Sequence, residues 1–238
     1  MMARQTGLQG LASLAAAITL LVGCGSDQPS GPTALPCTAH PPSPDDPFAQ
    51  ARDPSSEQIA LATSVAARFM TDNQPEQLAW DWGEGTAMFG LSELYRVTTD
   101  PAQRDYYRAW IDHYRNAGYR HFITSSDRCP PALSALALYR ESCDLGYRTI
   151  VTDTLHYLYD EALRTPDGGI NHLGVNDLFG VSLWVDSLFM FGNVLTRWAE
   201  HADDDQALDE YHQQFLLFAS HLQSDGGWFK HAHDWPLA

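Results

Sequence analysis

Apolar residues recur along most of this chain at the three- and four-residue spacing that places them on one side of an α-helix. Ile59, Thr63, Ala66, Phe69 and Met70 mark one face, opened by Ser55-Ser56-Glu57. Ala87, Leu91, Leu94 and Tyr95 mark a second. Tyr106, Tyr107, Trp110, Ile111 and Tyr114 mark a third. It begins at Asp100-Pro101, an N-cap followed by proline at the first helical position, and ends at Gly118. Residues 130–139, 149–163, 181–198 and 206–222 read as four more helices. Strand patterns are scarce, so the expected fold class is all-α.

These helices come in pairs. Residues 90–95 lead through an acidic turn at Asp100 to 106–114; 135–139 lead through Asp144 to 151–159; 189–198 lead through Asp203-Asp204-Asp205 to 211–222. A helix pair recurring roughly every 45 to 60 residues predicts a solenoid or a closed α/α toroid. The small-residue run from Gly83 to Gly90 suits an inner helix converging on an axis, and the more charged partners suit the outside. One loop pattern is used twice after an outer helix, as Asp167-Gly168-Gly169-Ile170-Asn171-His172 and as Ser224-Asp225-Gly226-Gly227-Trp228-Phe229. In a toroid both loops fall at one end, where a pocket opens; glycine supplies the turns.

The N-terminus reads as a targeting segment. Arg4 precedes a short apolar run, Leu11 to Val22, that is too short for a confident membrane span. The run ends in Leu21-Val22-Gly23-Cys24, which resembles a bacterial lipoprotein signal with Cys24 as the lipidated residue. Residues 1–23 are then the signal peptide, and the expected location is a bacterial envelope membrane, anchored to it and not spanning it. Residues 24–54, rich in Pro, Ser, Gly and Asp, read as a tether, and the folded domain occupies 55–238. Export permits disulfides among Cys37, Cys129 and Cys143. A helix over 130–142 would hold Cys129 and Cys143 about 20 Å apart, which excludes that pair; Cys37 with either of the others remains open. No spacing resembles a metal site. The net charge of −16 argues against a nucleic-acid partner, because phosphate binding needs clustered Lys and Arg.

Three stretches carry a resemblance. Trp82-Gly83-Glu84-Gly85 with Gly90-Leu91-Ser92-Glu93-Leu94-Tyr95 opens the first hairpin, Leu183-Trp184-Val185-Asp186-Ser187-Leu188-Phe189-Met190 the third, and Gly227-Trp228-Phe229-Lys230-His231-Ala232-His233-Asp234 closes the chain. In order and spacing, from Ser56 to Trp235, they resemble glycoside hydrolase families 88 and 105, the unsaturated glucuronyl and rhamnogalacturonyl hydrolases. The resemblance implies a six-hairpin (α/α) barrel, of which this chain carries about half. It implies a substrate left by a polysaccharide lyase, an oligosaccharide of pectin or rhamnogalacturonan type with a 4,5-unsaturated uronic acid at its non-reducing end. It also implies hydration of that double bond, with no cofactor. One Asp gives a proton to C4 and helps water add at C5, unlike the two-carboxylate attack on the glycosidic carbon.

By that resemblance Asp186 is the acid/base and Asp127, in Ser126-Asp127-Arg128-Cys129-Pro130, is the second carboxylate, at the start of the second hairpin's inner helix. The chemistry asks for a carboxyl that holds a proton, and Trp184, Leu188 and Phe189 beside Asp186 supply an apolar flank. Each Asp also has a plainer reading as a helix cap or ion-pair partner. His172 and His231, after the two Gly-Gly loops, are expected to hold substrate, with Trp82, Trp184 and Trp228 as sugar-stacking faces and Arg128 as a partner for the uronate carboxylate. A half-toroid leaves hairpin faces uncovered, which favours a homo-oligomer. Two other readings compete: another α/α-toroid sugar enzyme, such as a mannosidase or epimerase, and a non-catalytic lipoprotein that binds carbohydrate or a partner.

Overall fold

The structure, a computed structural model, describes residues 37–43, 55–176, 178 and 180–233. The signal segment and Cys24 lie outside the described residues, as does most of the expected tether. Seven helices of 11 to 18 residues make up the fold: α1 (Ser56–Asp72), α2 (Trp82–Thr98), α3 (Pro101–Ala117), α4 (Pro131–Ser142), α5 (Leu145–His156), α7 (Gly192–Ala202) and α8 (Asp205–Leu222). A single helical turn, α6 (Ser187–Met190), precedes α7. Two two-residue strands, β1 (Leu183–Trp184) and β2 (Ala232–His233), pair antiparallel. None of the described helices is long and apolar enough to cross a membrane.

The helices start and stop for local reasons. Ser55 forms a capping box with Gln58 on α1. Asp81, Asp100, Asp144 and Asp204 each accept a backbone N–H in the first turn of the helix that follows. Three connections repeat one design. Thr99, Cys143 and Asp203 take the left-handed conformation (φ 55°, 57° and 53°), each followed at once by a capping aspartate. These two-residue turns fold α2 onto α3, α4 onto α5 and α7 onto α8, at the acidic turns expected from the sequence. They are the only non-glycine residues of positive φ among those described.

Burial sorts inner from outer helices. Eight of the twelve α4 residues are buried, on every side of its first turns, and α4 packs against both α2 and α7. Helix α3 buries only Gln103, Tyr107, Trp110 and Ile111, a single stripe at helical spacing, and turns its charges outward. Helices α2 and α4 meet at Gly85. A Cβ there would lie 2.8 Å from the Pro130 side chain and 2.9 Å from the Pro131 backbone nitrogen, which explains a glycine inside a helix. Trp80, immediately before the α2 cap, lies between the rings of Trp110 and Tyr119 at 5.8 and 5.6 Å, and fixes where α2 begins.

Two expected helices differ. The element expected over 149–163 begins earlier, at Leu145, and its α-helical part stops at His156. A π-turn over Tyr157–Glu161 carries the chain on. The helix expected over 181–198 is broken: 181–186 are not helical, and regular helix resumes only at Ser187 and Gly192. The reason is tertiary. Leu183 and Trp184 spend their backbone hydrogen bonds on His233 and Ala232, 48 or more residues away, which periodicity alone does not register.

Near the N-terminus Cys37 is disulfide-bonded to Cys143 (Cα–Cα 5.8 Å), and the His40 N–H donates to the Arg140 carbonyl. Residues 37–43, inside the stretch expected to be a tether, are thus fastened to the C-terminal end of α4. Cys129 is buried and unpaired.

Candidate active site

The two glycine loops build one end of the fold in the same way. Thr165 N–H bonds to the Gly169 carbonyl and Gly168 N–H to the Thr165 carbonyl; Ser224 bonds to Trp228 and Gly227 to Ser224 in the same pattern. Gly168 and Gly227 occupy the equivalent positive-φ position, at 101° and 83°. Each turn closes into a bridge, Arg164 with Ile170 and Gln223 with Phe229, and two residues further on stand His172 and His231. Both histidines converge on one indole. His172 lies flat on Trp184 at 4.5 Å and 11°, and His231 meets the same ring in a T at 4.9 Å. β1 and β2 hold the second contact, with Val185 N–H donating to the His231 carbonyl.

The loop carrying Asp127 is clamped to this assembly. Ser126 N–H donates to the His172 carbonyl at 3.0 Å and Val175 N–H to the Thr124 carbonyl at 3.1 Å. Gly174 makes the approach possible: at φ 64°, a Cβ would fall 2.0 Å from the Thr124 carbonyl oxygen. On the other side Trp80 Nε1 donates to the Arg128 carbonyl at 3.1 Å, and the Arg128 guanidinium donates back to the Trp80 carbonyl.

His172 is the hub, with 4% of its surface exposed. Its Nε2 lies 3.7 Å from Asp127 Oδ2 and its Nδ1 3.8 Å from Asp186 Oδ1, so the two carboxylates flank one imidazole. Burial holds the His172 pKa below the ordinary imidazole value against the pull of both carboxylates, leaving the ring neutral near pH 7. Burial raises the Asp127 pKa. The neighbouring charges of Asp186 and Asp81 add to the rise, while His172 and Arg128 oppose it. A carboxyl raised in this way is equipped to exchange a proton at mild pH.

Asp186 is set apart from the other helix-start aspartates. It holds the N-cap position of α6, and its carbonyl accepts from Phe189 and Met190, yet its side chain caps nothing. One carboxyl oxygen, Oδ1, is buried without a hydrogen-bond partner, while 40% of the side chain stays open. A cap role is therefore absent, and the carboxyl is presented to the site. It stands at a helix start and not inside a helix, as the run 181–198 had suggested. The apolar flank is also partial: Phe189 is 40% exposed.

Asp127, His172, Trp184, Asp186 and His231 come together. Arg128 does not face them freely, because it forms an ion pair with Asp81 at 3.2 Å. Asp127 sits in a one-turn 3₁₀ helix, Ser126–Arg128, and the residue that caps α4 is Pro130, so Asp127 is not that helix's cap. One face of Trp184 is taken by His172. Trp82 and Trp228 are 52% and 81% exposed, at the start of α2 and the tip of the second glycine turn. Two residues at the site had no role from the sequence: Asp81, whose signal was the cap position before Trp82, and Ser187, which stood in the stretch 183–190 beside Asp186. Among the described residues no cluster of three or more His, Cys, Asp or Glu could hold a metal ion.

Stacked helical hairpins with carboxylates and aromatic side chains gathered at one end place the chain among the α/α toroids, here over part of the ring. The chain belongs to Glycosyl Hydrolase Family 88, whose profile matches residues 61–235. It is 23% identical over 155 residues to the unsaturated rhamnogalacturonyl hydrolase YesR of Bacillus subtilis (strain 168), covering 64% of this chain and 44% of that one. Its fold matches a possible GH105 family member from Klebsiella pneumoniae subsp. pneumoniae MGH 78578 with TM-score 0.65, 18% identity, and coverage of 75% of this chain and 51% of that one. It also matches an unsaturated glucuronyl hydrolase from Streptococcus agalactiae with TM-score 0.58 and 14% identity, over 82% and 54%. The chain thus spans about half the length of the relatives it matches.

Proposed function

We propose that this chain acts on lyase-generated oligosaccharides of pectin or rhamnogalacturonan type and releases the 4,5-unsaturated uronic acid from their non-reducing end. Asp186 gives its proton to C4 of the double bond. Water adds its oxygen at C5 and returns a proton to the same carboxylate, so the net change is one water added. The resulting hemiketal opens and the aglycone leaves. Asp127 and the neutral His172 set the field around Asp186, and His231 and the exposed Trp82 and Trp228 hold the sugar. The observation that carries this reading is the uncapping carboxyl of Asp186, placed across His172 from the raised carboxyl of Asp127. Two relatives, one an unsaturated rhamnogalacturonyl hydrolase and one an unsaturated glucuronyl hydrolase, support the uronyl class.

The test is to mix the protein with lyase-made unsaturated rhamnogalacturonan disaccharide and follow the ultraviolet absorbance of the conjugated ene-uronate. Loss of absorbance supports the reading; binding without turnover, unaffected by Asp186→Asn, identifies a carbohydrate-binding protein instead. The same proposal places the chain on an envelope membrane through a lipid on Cys24. Metabolic labelling with a fatty acid, present in the wild type and lost in Cys24→Ala, tests that part.

A further inference from the structure

Ser187 follows Asp186 directly and is wholly buried. Its hydroxyl lies 2.9 Å from His172 Nδ1, and this is its only hydrogen bond among the described residues. A buried hydroxyl hydrogen without an acceptor is expensive, and Nδ1 is the acceptor within reach. Donation from Ser187 requires that Nδ1 carry a lone pair. The neutral ring then holds its proton on Nε2, the nitrogen that faces Asp127 Oδ2 at 3.7 Å. The opposite arrangement would leave the hydroxyl hydrogen unpaired. It would also turn an N–H toward Asp186 Oδ1, 3.8 Å from Nδ1. That oxygen is the buried one that has no hydrogen-bond partner.

We propose that Ser187 is a positioning residue: its hydroxyl fixes the His172 tautomer and so decides which of the two carboxylates faces an N–H. The imidazole N–H is kept on the Asp127 side, and the inner oxygen of Asp186 is left without a donor. The stacking of His172 on Trp184 holds the ring plane, and the backbone N–H of His172, donating to the Ser182 carbonyl at 2.9 Å, fixes the main chain beneath it, so the hydroxyl selects the tautomer without having to orient the ring. The catalytic consequence rests on the roles proposed above for Asp186 and Asp127; the tautomer itself does not.

The experiment is nitrogen-15 NMR of the full chain labelled at histidine, with His172 assigned by loss of its signals in His172→Gln. The wild type is expected to show the Nε2–H form. Ser187→Ala, which removes one buried oxygen, is expected to shift His172 toward the Nδ1–H form and to lower kcat by about tenfold to a hundredfold with a smaller change in KM. An Nδ1–H ring in the wild type, or the same tautomer in Ser187→Ala, overturns the proposal. A changed tautomer with unchanged turnover overturns its catalytic part. If Asp186→Asn retains turnover, the functional reading fails while the tautomer result stands, so the two failures are separable.

Discussion

The three hairpin turns share one backbone, so replacing each capping aspartate by alanine isolates what else that aspartate does. Asp100 accepts from Ala102 N–H at 3.0 Å and its carboxylate has no other hydrogen-bond partner among the described residues; its loss should cost about 1 kcal/mol, the ordinary worth of a cap. Asp144 caps Gly146 N–H at 2.7 Å and also pairs with Arg115 at 2.8 Å, but both partners are a third or more exposed. Such a pair adds only a few tenths to about 1 kcal/mol, for a total near 1–2. Asp204 caps Ala207 N–H and accepts the indole N–H of Trp198 at 2.9 Å, and Trp198 is 6% exposed. Removing it loses the cap and strands a buried donor, so about 2–4 kcal/mol is expected. The order is Asp204→Ala, then Asp144→Ala, then Asp100→Ala, measured as urea unfolding midpoints with the slope held common. Asp204→Asn keeps one acceptor oxygen, which serves the cap or the indole N–H but not both, and should recover only part of the loss. Equal losses at the three turns, or Asp204→Ala no worse than Asp100→Ala, would refute the reasoning.

Two glycines of α2 should respond in opposite directions. Gly85→Ala meets Pro130 and Pro131 and is expected to destabilise by about 1–3 kcal/mol, whereas Gly90→Ala meets nothing within 4 Å and should stabilise by about 0.5–1 kcal/mol; thermal melts read both signs. Cys37→Ser should lose about 2–5 kcal/mol, because the bond to Cys143 closes a loop across a separation of 106 residues, and reductant should lower the wild type to the level of the variant and leave the variant unmoved. The pKa of Asp127 is raised in the folded state, so its ionised form is penalised above the ordinary carboxylate range. Asp127→Asn should therefore raise the melting temperature at neutral pH, and the gain should vanish as pH falls below that range; a gain that persists in acid contradicts the burial argument.

Much of this was legible in the residues. The acidic turns at Asp100, Asp144 and Asp203-Asp204 marked the hairpins because cap chemistry is local, and the charge carried by the second helix of each pair, α3 among them, marked it as outer. The repeated glycine loops foretold equivalent positions for His172 and His231. Their convergence on Trp184 was beyond reach, since it depends on β1 pairing with β2 from the far end of the chain. That pairing also broke the helix expected over 181–198 and moved Asp186 from a helix interior to a helix start. Arg128 looked like a uronate partner by type, but its pairing with Asp81 and Trp80 is set by the packing of two distant loops. His172 was expected to touch sugar; it stands buried between Asp127 and Asp186, a position that only the meeting of three segments creates. The disulfide of Cys37 with Cys143 was one of the open options, and composition alone made residues 37–43 look like loose tether.

The most direct test of the central claim is turnover of the ene-uronate disaccharide by wild type and Asp186→Asn, compared at matched helical circular dichroism. Asp186 caps no backbone group, so its replacement should leave the fold intact. The account predicts a wild-type loss of ultraviolet absorbance that falls about a hundredfold or more in the variant, the worth of a positioned acid/base. A folded Asp186→Asn protein that turns over the substrate at nearly the wild-type rate would contradict it.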